Sequence, residues 1–360
     1  MAEWVKREYG KGEIDRAGAY LVPWWIGDEA TVPPEIEKTY PIVQNWRTSH
    51  GLPLNVFQAA LRSRTKRLRR PPLIVAQRLK RFSSVMNKLA REPQMKLSQM
   101  QDLGGCRAIL TDVKAVDDLF RMYRQDEPLF DGESSLRCYD YIRHPKDDGY
   151  RGVHVVGRYF ARVKSREPWN GQRIEIQLRS QLQHAFATTV ETVTTFTRQP
   201  LKFGAGPPDW RRFFALMGSA LAMREGTPLV AGTPVTSNEL TKELRDVTRA
   251  LKVRQKLQAW TDAIKKLPRR DIDGFKWLLL VLNTQQSTIQ VTGYARRADA
   301  AKALEGIEQS NQEDIDAVLV WVRSISDLRA AYPNYYADTR QFIKALDTAL
   351  SIKKWWSLKW

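Results

Sequence analysis

Cysteine is scarce in this chain, since Cys106 and Cys138 are the only two among 360 residues. Two cysteines exclude a disulfide framework and fit a reducing compartment. The longest apolar run, Trp277–Leu282, is far too short to cross a bilayer. The first residues, Met-Ala-Glu-Trp-Val-Lys-Arg-Glu, lack the apolar core of a secretory signal. The sequence therefore predicts a cytoplasmic protein with no membrane partner.

Negative charge is also in short supply. The chain has 58 lysines and arginines against 40 aspartates and glutamates, which gives a net charge of +18. A hydrophobic content of 42% with 27% charged residues is typical of a folded globular protein and not of a disordered one. The excess of cations predicts an anionic partner: a nucleic acid, a nucleotide or an acidic surface.

One stretch, Arg173–Arg179, alternates without exception between apolar and polar residues. Successive side chains of a strand point to opposite faces. The pattern therefore predicts a strand with one buried face and one face that carries Glu175, Gln177 and two arginines. An ordinary half-exposed strand with solvated charges would give the same pattern.

The segment Ile74–Arg91 predicts a helix, because its apolar residues recur at helical spacing. On such a helix Lys80, Ser84 and Lys88 lie one turn apart and form a polar ridge, with Arg78 beside its N-terminal end. The ridge is either a solvated face or a cradle for a triphosphate.

Further elements follow from the spacing of apolar residues and from the positions of Pro and Gly. The predicted helices are Asp15–Tyr20, Ile36–Ser49, Leu54–Arg70, Val113–Tyr123, Gln181–Thr197 and Asp209–Arg224, and the predicted strands are Ala108–Leu110, Cys138–Arg143 and Val153–Tyr159. In front of the first strand, Gly104-Gly105 permits a close approach of two backbones or an unusual turn. Asp102 and Arg107 bracket these glycines.

The loop His144–His154 is rich in turn residues and contains Lys146, Arg151 and Tyr150. Gly149 and Arg151 flank the tyrosine. The loop is either a solvent-exposed turn or a platform on which a base stacks.

The second half of the chain predicts a linker at Glu225–Ser237, a long basic helix at Asn238–Lys266 and then a small α+β module. The module's predicted elements are strands at Phe275–Asn283, Ser287–Ala295 and Asp316–Arg323 and helices at Arg296–Gln309 and Ser326–Ser351, the last interrupted at Pro333. The module has no cysteine or histidine, which excludes a classical zinc site. Its segment Tyr332-Pro-Asn-Tyr-Tyr336 is either a set of core or surface aromatics at a helix junction or a plug of rings for a nucleotide pocket.

Four motifs in this order resemble the synthetase domain of the RelA/SpoT family, the alarmone synthetases. They are Arg78, Lys80, Ser84 and Lys88 in Arg-x-Lys-x-x-x-Ser-x-x-x-Lys; Asp102, Gly105 and Arg107 in Asp-x-x-Gly-x-Arg; the guanosine-binding loop Asp140–His154; and the strand motif Glu175–Arg179. The resemblance implies an α/β (α+β) fold with a nucleotidyltransferase-like mixed sheet flanked by helices.

The resemblance also implies a reaction, the transfer of pyrophosphate from ATP to a ribose 3′-hydroxyl with release of AMP. Asp102 and Glu175 match the catalytic carboxylates that bind Mg²⁺, and Glu175 also orients or deprotonates the attacking hydroxyl. The implied ATP-binding residues are Arg78, Lys80, Ser84, Lys88 and Arg107, of which the two arginines sandwich adenine. The implied acceptor-binding residues are Tyr150, which stacks on the base, and Lys146, Arg151, His154, Gln177 and His184.

Two positions depart from the family's pattern. Gly152 stands where Ser is common, and Ser180 stands where Thr is common. Both fall on the acceptor side, so the identity of the acceptor stays open. The four histidines include no His-Asp pair, so the hydrolase domain of the long bifunctional relatives is not expected.

The appended module, with its Tyr-x-x-Tyr pair Tyr332 and Tyr335, resembles the fused toxin–antitoxin, CapRel-like branch of the toxic small alarmone synthetases. The predicted division is a synthetase domain with N-terminal helices at 1–225, a linker and long helix at 226–270, and a zinc-less regulatory module at 271–360. The branch implies that the module acts as an in-chain antitoxin, with Tyr332 and Tyr335 as its regulatory residues. It also implies transfer to the 3′ CCA end of tRNA, which blocks translation, and a phage protein that relieves the inhibition.

Two alternatives remain at this point. The first is a (p)ppGpp synthetase that uses GDP or GTP as the acceptor. The second, from another class, is a catalytically dead scaffold that binds RNA or the ribosome.

Overall fold

A computed structural model describes residues 4–26, 34–125, 136–197, 208–254, 256–257, 277–283, 288–310, 315–321 and 340–351. The chain divides into two compact units. The first contains Met1–Ala108, Asp118–Tyr139 and His154–Gln177, and the second contains Ile109–Asp117, Asp140–Val153 and Leu178–Trp360.

Three helices open the first unit: α1 Lys11–Ile26, α2 Pro34–Ser49 and α3 Gly51–Thr65. All three were predicted, although α1 is longer than expected and α3 lies nearer to the N-terminus. Helices α1 and α2 share a core with α4, which spans Phe82–Arg91. Ile14, Val43 and Val85 are completely buried in that core, so the N-terminal helices pack against the helix that carries Lys88.

Five strands form one sheet in the order β1-β2-β5-β4-β3. Their bounds are β1 Ile74–Leu79, β2 Gly104–Leu110, β3 Arg137–Asp140, β4 Val153–Arg158 and β5 Arg173–Ser180, with α5 Val113–Gln125 between β2 and β3. The mixed sheet flanked by helices confirms the predicted fold class. Strand β5 is confirmed in detail, because Ile174, Ile176 and Leu178 are fully buried while Glu175 and Gln177 stay partly exposed.

The predicted helix Ile74–Arg91 is wrong in its first half, where β1 pairs with β2 instead. Ile74 and Val75 are β-branched, which favours an extended chain. The buried residues of the true helix, Phe82, Val85 and Met86, keep helical spacing. Arg78 therefore lies on a strand and Lys80 lies between strand and helix.

Helices dominate the second unit: α6 Gln181–Thr197, α7 Pro208–Glu225, α8 Ser237–Ala250, α9 Arg297–Gln309 and α10 Arg340–Leu350. Phe342 of α10 packs against Phe186 of α6 and Phe213 of α7, with ring centroids 6.3 and 6.2 Å apart. Arg245 of α8 donates a hydrogen bond to the carbonyl of Leu350 at 3.0 Å. Helix α10 is thus part of the core that α6, α7 and α8 form.

The long helix predicted at Asn238–Lys266 is interrupted after Ala250, and residues 258–266 of it lie outside the described residues. Helix α8 ends at Ala250, and Lys252 has φ of 51°, a left-handed conformation that no helix continues through. The segment before α8, predicted as a linker, is folded against α7. Thr233 is buried there, and its hydroxyl lies 2.6 Å from that of Ser219.

A small antiparallel sheet with the order β7-β6-β8 follows: β6 Trp277–Asn283, β7 Thr288–Tyr294 and β8 Ile315–Trp321. These strands and α9 confirm three predicted strands and the first predicted helix of the module. Of the helix predicted at Ser326–Ser351, residues 326–339 lie outside the described residues and α10 forms the remainder. Leu279, Leu304 and Ala317 form its buried core, where α9 covers one face of the sheet. The division of the chain at residues 225 and 270 stays a prediction. Among the described residues, no helix is long and apolar enough to span a membrane.

Candidate active site

Asp102 lies between two lysines in the first unit. Its Oδ2 is 2.6 Å from Lys80 Nζ and its Oδ1 is 3.1 Å from Lys88 Nζ. Lys80 is fixed by its backbone N–H, which donates to the carbonyl of Leu103 at 2.7 Å. Burial would raise the pKa of Asp102, but the charges and hydrogen bonds of the two lysines outweigh it and hold the pKa well below its usual range. The carboxylate is therefore ionised, and it has two ammonium groups beside it.

Glu175 of β5 has a partner on each carboxylate oxygen. His154 Nδ1 lies 2.8 Å from its Oε1, and Gln177 Nε2 donates to its Oε2 at 2.8 Å. Burial would raise the pKa of Glu175, but the charge and hydrogen bond of His154 lower it, and the net pKa is below its ordinary value. The negative charge of Asp102 opposes this lowering, which means that the two carboxylates are close enough to interact.

The remaining predicted ATP residues lie on neighbouring elements of the same unit. Arg78 is on β1 and Arg107 on β2, which are adjacent strands. Ser84 lies on α4, in the turn before Lys88, and is half-buried. Arg78 therefore lies on the sheet and not on the predicted helix. Lys80 and Lys88 still contact Asp102, although they do not share one helix.

Of the two glycines before Arg107, only Gly104 lies in a close contact, and its neighbour there is a side chain of β5. A Cβ on Gly104 would lie 2.6 Å from Ile174 Cδ1, whereas a Cβ on Gly105 would meet nothing nearer than the Glu175 carbonyl at 3.9 Å. Gly104 lets β2 approach the buried face of β5. Gly105 leaves the space beside Glu175 open.

Tyr150 is in the second unit, where cations surround its ring. Arg179 Nη2 donates to the Tyr150 hydroxyl at 2.9 Å, and the guanidinium carbon is 5.2 Å from the ring centroid. Lys146 Nζ is 5.4 Å from the same centroid and 4.4 Å from that of Tyr141. The arrangement is consistent with an aromatic platform held by cations.

Glycines allow the loop His144–His154, which contains Tyr150, to pack closely against α7. Gly149 has φ of +84°, and a Cβ there would fall 2.4 Å from the carbonyl of Phe214. A Cβ on Gly218 of α7 would lie 2.7 Å from the Gly149 Cα. Gly152, which replaces the family's serine, has φ of +149°, and its Cβ would approach Arg179 Cγ to 3.2 Å. Glycine at 152 is thus required by the backbone conformation and by Arg179.

Arg151 is buried in the second unit with 2% of its surface exposed. Its guanidinium donates to the carbonyl of Gly218 at 3.3 Å, to Thr227 Oγ1 at 3.0 Å and to the carbonyl of Pro228. Burial lowers its pKa to about 10, although the charge of Glu225 acts in the opposite direction. These bonds place Arg151 in the packing of the loop against α7.

The structure also contains groups that the sequence did not indicate. Arg179 was assigned only as the end of a strand motif, and Tyr141 was given no role. Strand alternation would have predicted an exposed Arg179, yet it is 5% exposed. Glu225 is a third group that the sequence did not indicate. It accepts hydrogen bonds from Ser180 and from Gln183 Nε2, the latter at 2.9 Å. Burial raises the pKa of Glu225.

The predicted site residues therefore form two groups, one in each unit. The first unit brings together Lys80, Lys88 and Asp102, and His154, Glu175 and Gln177; the second holds Lys146, Tyr150, Arg151 and His184, the last half-buried on α6. Tyr332 and Tyr335 lie outside the described residues. The described residues include no group of three or more His, Cys, Asp or Glu side chains arranged to hold a metal ion.

Residues 77–199 match the family described as "Region found in RelA / SpoT proteins". Over these residues the chain is similar to the RelA/SpoT domain. Every predicted site residue from Arg78 to His184 lies inside this domain. The match leaves residues 200–360 outside the family's region.

Known proteins similar to this RelA/SpoT domain include the GTP pyrophosphokinase YwaC of Bacillus subtilis (strain 168), at 28% identity over 109 residues. That match covers 29% of this chain and spans about half, 49%, of the relative's length. Small alarmone synthetase 1 from Bacillus subtilis, bound to its product pppGpp, is a structural neighbour with 19% identity. The match covers 49% of this chain and 89% of that one, with a TM-score of 0.39. A GTP pyrophosphokinase family protein from Streptococcus pneumoniae matches at 20% identity over 54% of this chain and 91% of its own, with a TM-score of 0.40.

Proposed function

We propose that the RelA/SpoT domain is an ATP pyrophosphotransferase, and that it transfers pyrophosphate to a ribose 3′-hydroxyl. The observation that carries the proposal is the pair of ionised carboxylates, Asp102 and Glu175, each held by cationic or amide groups. Lys80 and Lys88 supply two positive charges where a triphosphate needs them. A scaffold with no chemistry would have no reason to keep two interacting carboxylates charged.

In this proposal Glu175 acts on the acceptor. Its carboxylate takes the proton of the 3′-hydroxyl, while His154 and Gln177 fix its orientation. The hydroxyl oxygen then forms a bond to the β-phosphorus of ATP. The bond from that phosphorus to the oxygen bridging it to the α-phosphate breaks, and AMP leaves. Lys80 and Lys88 stabilise the charge on the phosphates throughout.

Asp102 and Glu175 are also the residues that would hold Mg²⁺. The two carboxylates fit this ion, because Mg²⁺ is usually bound through one or two carboxylates and completes its coordination with substrate phosphates and water. Both are held in the charged form that metal binding needs. When bound, the ion would neutralise charge on the transferred phosphates.

The proposed acceptor is the 3′ CCA end of tRNA. A net charge of +18 supports a polyanion, because phosphate neutralisation scales with Lys and Arg contacts. Tyr150, with Lys146 and Arg179 at its ring, supports stacking of a terminal base. GDP or GTP is the second candidate, since the similar curated protein is called a GTP pyrophosphokinase.

We assign regulation to residues 271–360, which would act as an in-chain antitoxin. Strands β6 to β8 and α9 support this, since they give the module a core of its own. Tyr332 and Tyr335 would compete with adenine for Arg78 or Arg107, and a phage protein would bind the open form. Changing both tyrosines to Ala should raise basal activity and toxicity. An unchanged ATP affinity in that variant would contradict this part of the proposal.

The reaction is tested with purified protein, Mg²⁺ and γ-labelled ATP in parallel incubations with tRNA, GDP and GTP. The γ-phosphate travels with the transferred pyrophosphate, so label should appear on the tRNA and AMP should form. Asp102→Asn and Glu175→Gln should each lower the rate by about a thousandfold, because removal of either carboxylate costs several kcal/mol of transition-state stabilisation. If label appears only on GDP or GTP, that nucleotide and not tRNA is the acceptor. Near wild-type turnover in either variant would overturn the site.

A further inference from the structure

Three arginines lie at the ends of three neighbouring strands in the first unit. Arg137 begins β3, Arg158 ends β4 and Arg173 begins β5, and the sheet order places these strands side by side. Arg137 and Arg158 are exposed, and Arg173 is half-buried. We call these residues the strand-end arginine cluster.

Within the part of the chain that the structure describes, the cluster carries positive charge without a paired carboxylate. Burial lowers the pKa of Arg173, and the charges of Arg158 and Arg137 lower it further, as expected for cations at short range. Arg173 is fixed through Nη1, which donates to the carbonyl of Gln99 at 2.8 Å. Among the residues that the structure describes, none of the three guanidiniums forms an ion pair with a carboxylate. Three neighbouring cations favour an anionic ligand.

The hairpin between β4 and β5 extends this surface. It closes directly beside the cluster, since the N–H of Tyr159 donates to the carbonyl of Gln172 at 2.8 Å. Its exposed cations are Arg162, Lys164 and Arg166, against one carboxylate, Glu167. Phe160 keeps 49% of its surface exposed beside them. Cations together with an exposed aromatic ring are what single-stranded nucleic acids bind to.

The cluster also connects to the candidate active site along β5. Arg173, Glu175 and Gln177 occupy alternate positions, so they share the face opposite to buried Ile174 and Ile176. Two residues of a strand span about 6.6 Å. A chain of phosphates held at Arg173 would therefore lie close to the carboxylate that acts on a 3′-hydroxyl.

We propose that the strand-end arginine cluster and the adjoining hairpin bind the phosphodiester backbone of an RNA whose 3′ end is held at Glu175. This inference rests on the proposed function, because it takes tRNA as the acceptor. Arginine suits the role, since its planar guanidinium binds phosphate in a bidentate manner. The exposed cations extend from the cluster onto the hairpin, and a chain of phosphodiesters matches such a surface better than the two or three clustered phosphates of one nucleotide.

The test is the binding of fluorescently labelled tRNA to the full chain without ATP, over a range of salt concentrations. The triple variant Arg137→Gln, Arg158→Gln, Arg173→Gln should bind at least about tenfold more weakly, and its salt slope should fall by about 2 to 3. The control variant Lys242→Gln, Lys252→Gln, Lys302→Gln loses the same charge from exposed sites in the second unit, and its slope should change little. The double variant Arg137→Gln, Arg158→Gln keeps the Arg173 bond to Gln99 and should fall between wild type and triple variant.

Transfer of label from ATP, measured on the same proteins, separates this inference from the proposed function. A triple variant with the wild-type salt slope overturns the binding surface, whatever the transfer assay gives. Slopes reduced equally in the triple variant and the control overturn it too, because they indicate a general charge effect. Absence of tRNA binding with active transfer to GDP overturns both the surface and the tRNA acceptor. Suppose that the triple variant alone loses tRNA binding and that no protein, wild type included, transfers label. This result supports the binding surface and contradicts the proposed reaction.

Discussion

His154 Nδ1 lies 2.8 Å from Glu175 Oε1, and Gln177 occupies the other oxygen of the same carboxylate. This pairing keeps a partly buried glutamate charged, although burial alone would favour its neutral form. A charged carboxylate can accept a proton, whereas a neutral one cannot. In the proposed reaction His154 would therefore act through Glu175. The contact with acceptor phosphates predicted for His154 from the sequence stays a prediction.

The His154–Glu175 pair predicts a shift in pH dependence. The pKa of Glu175 is depressed in the folded protein, so its charged form and the stability it contributes are lost only as pH falls through that lowered pKa. His154→Gln removes the main lowering influence while burial remains. The pKa of Glu175 should rise, and the acid limb of the kcat/KM profile should move to higher pH. His144→Gln, at an exposed histidine, should leave the profile in place; equal profiles in all three proteins would contradict the pairing.

A second prediction separates ATP binding from RNA binding. Arg78→Ala should raise the KM for ATP about tenfold, since a guanidinium stacked on a ring contributes on the order of 1 to 2 kcal/mol. The affinity for tRNA should stay near the wild-type value. Arg121→Ala, at an exposed arginine of α5, is the control and should change neither. Equal losses of ATP and tRNA binding would mean that the Arg78 region is a nucleic-acid surface.

The third prediction concerns Arg151. Arg151→Met should lower the free energy of unfolding by about 2 to 4 kcal/mol, because buried acceptors on Gly218, Thr227 and Pro228 lose a charged donor. Urea denaturation measures the loss. Arg143→Met, in the same loop, removes only an exposed ion pair with Asp117 and should cost less than about 1 kcal/mol. Equal midpoints for both variants would show that Arg151 does not hold the loop.

The fourth prediction tests the close approach of the Tyr150 loop to α7. Gly218→Ala should destabilise the protein by about 1 to 3 kcal/mol, since its Cβ would overlap the Gly149 backbone. Gly306→Ala on α9 meets nothing within 4 Å and should stabilise by about 0.5 to 1 kcal/mol through helix propensity. Thermal unfolding measures both effects: the Tm should fall for Gly218→Ala and rise for Gly306→Ala. A neutral Gly218→Ala would show that the loop can move away from α7.

Sequence patterns predicted much of this fold, because the alternation or helical spacing of apolar residues follows from which face of a strand or helix is buried. Strict alternation predicted β5, and helical spacing predicted α6, α7 and α9. The failure at Ile74–Arg91 arose because Leu79 falls three residues before Phe82 and so continued the helical spacing by chance. Pairing with β2, a long-range interaction, decides the structure there. At Lys252 the backbone conformation ended a helix that the apolar spacing alone would have prolonged.

The candidate site was predictable as a set of residues but not as a set of contacts. The motifs contain Asp102, Lys80 and Lys88, yet no spacing rule says that both lysines pair with one carboxylate. The same holds for His154 and Glu175, which are on different strands. Arg151 and Arg179 show the limit most clearly, because charged residues are expected at the surface and these two are buried. Whether an arginine is buried depends on the acceptors that the fold supplies, and those come from distant parts of the chain.

Helix α10 lies near the end of the chain, so the core that it completes can form only late in synthesis of the protein. The core around Phe186 and Phe213 is completed by Phe342, which the ribosome adds 156 residues after Phe186. Domains fold as units while the chain emerges, N-terminal parts first. The unit that contains Tyr150 cannot close its core until that late helix has been made. Under the proposed function, an unfinished chain would carry Asp102 and Glu175 without the complete core of the unit that contains Tyr150, so transfer to the acceptor would begin only after helix α10 has been made.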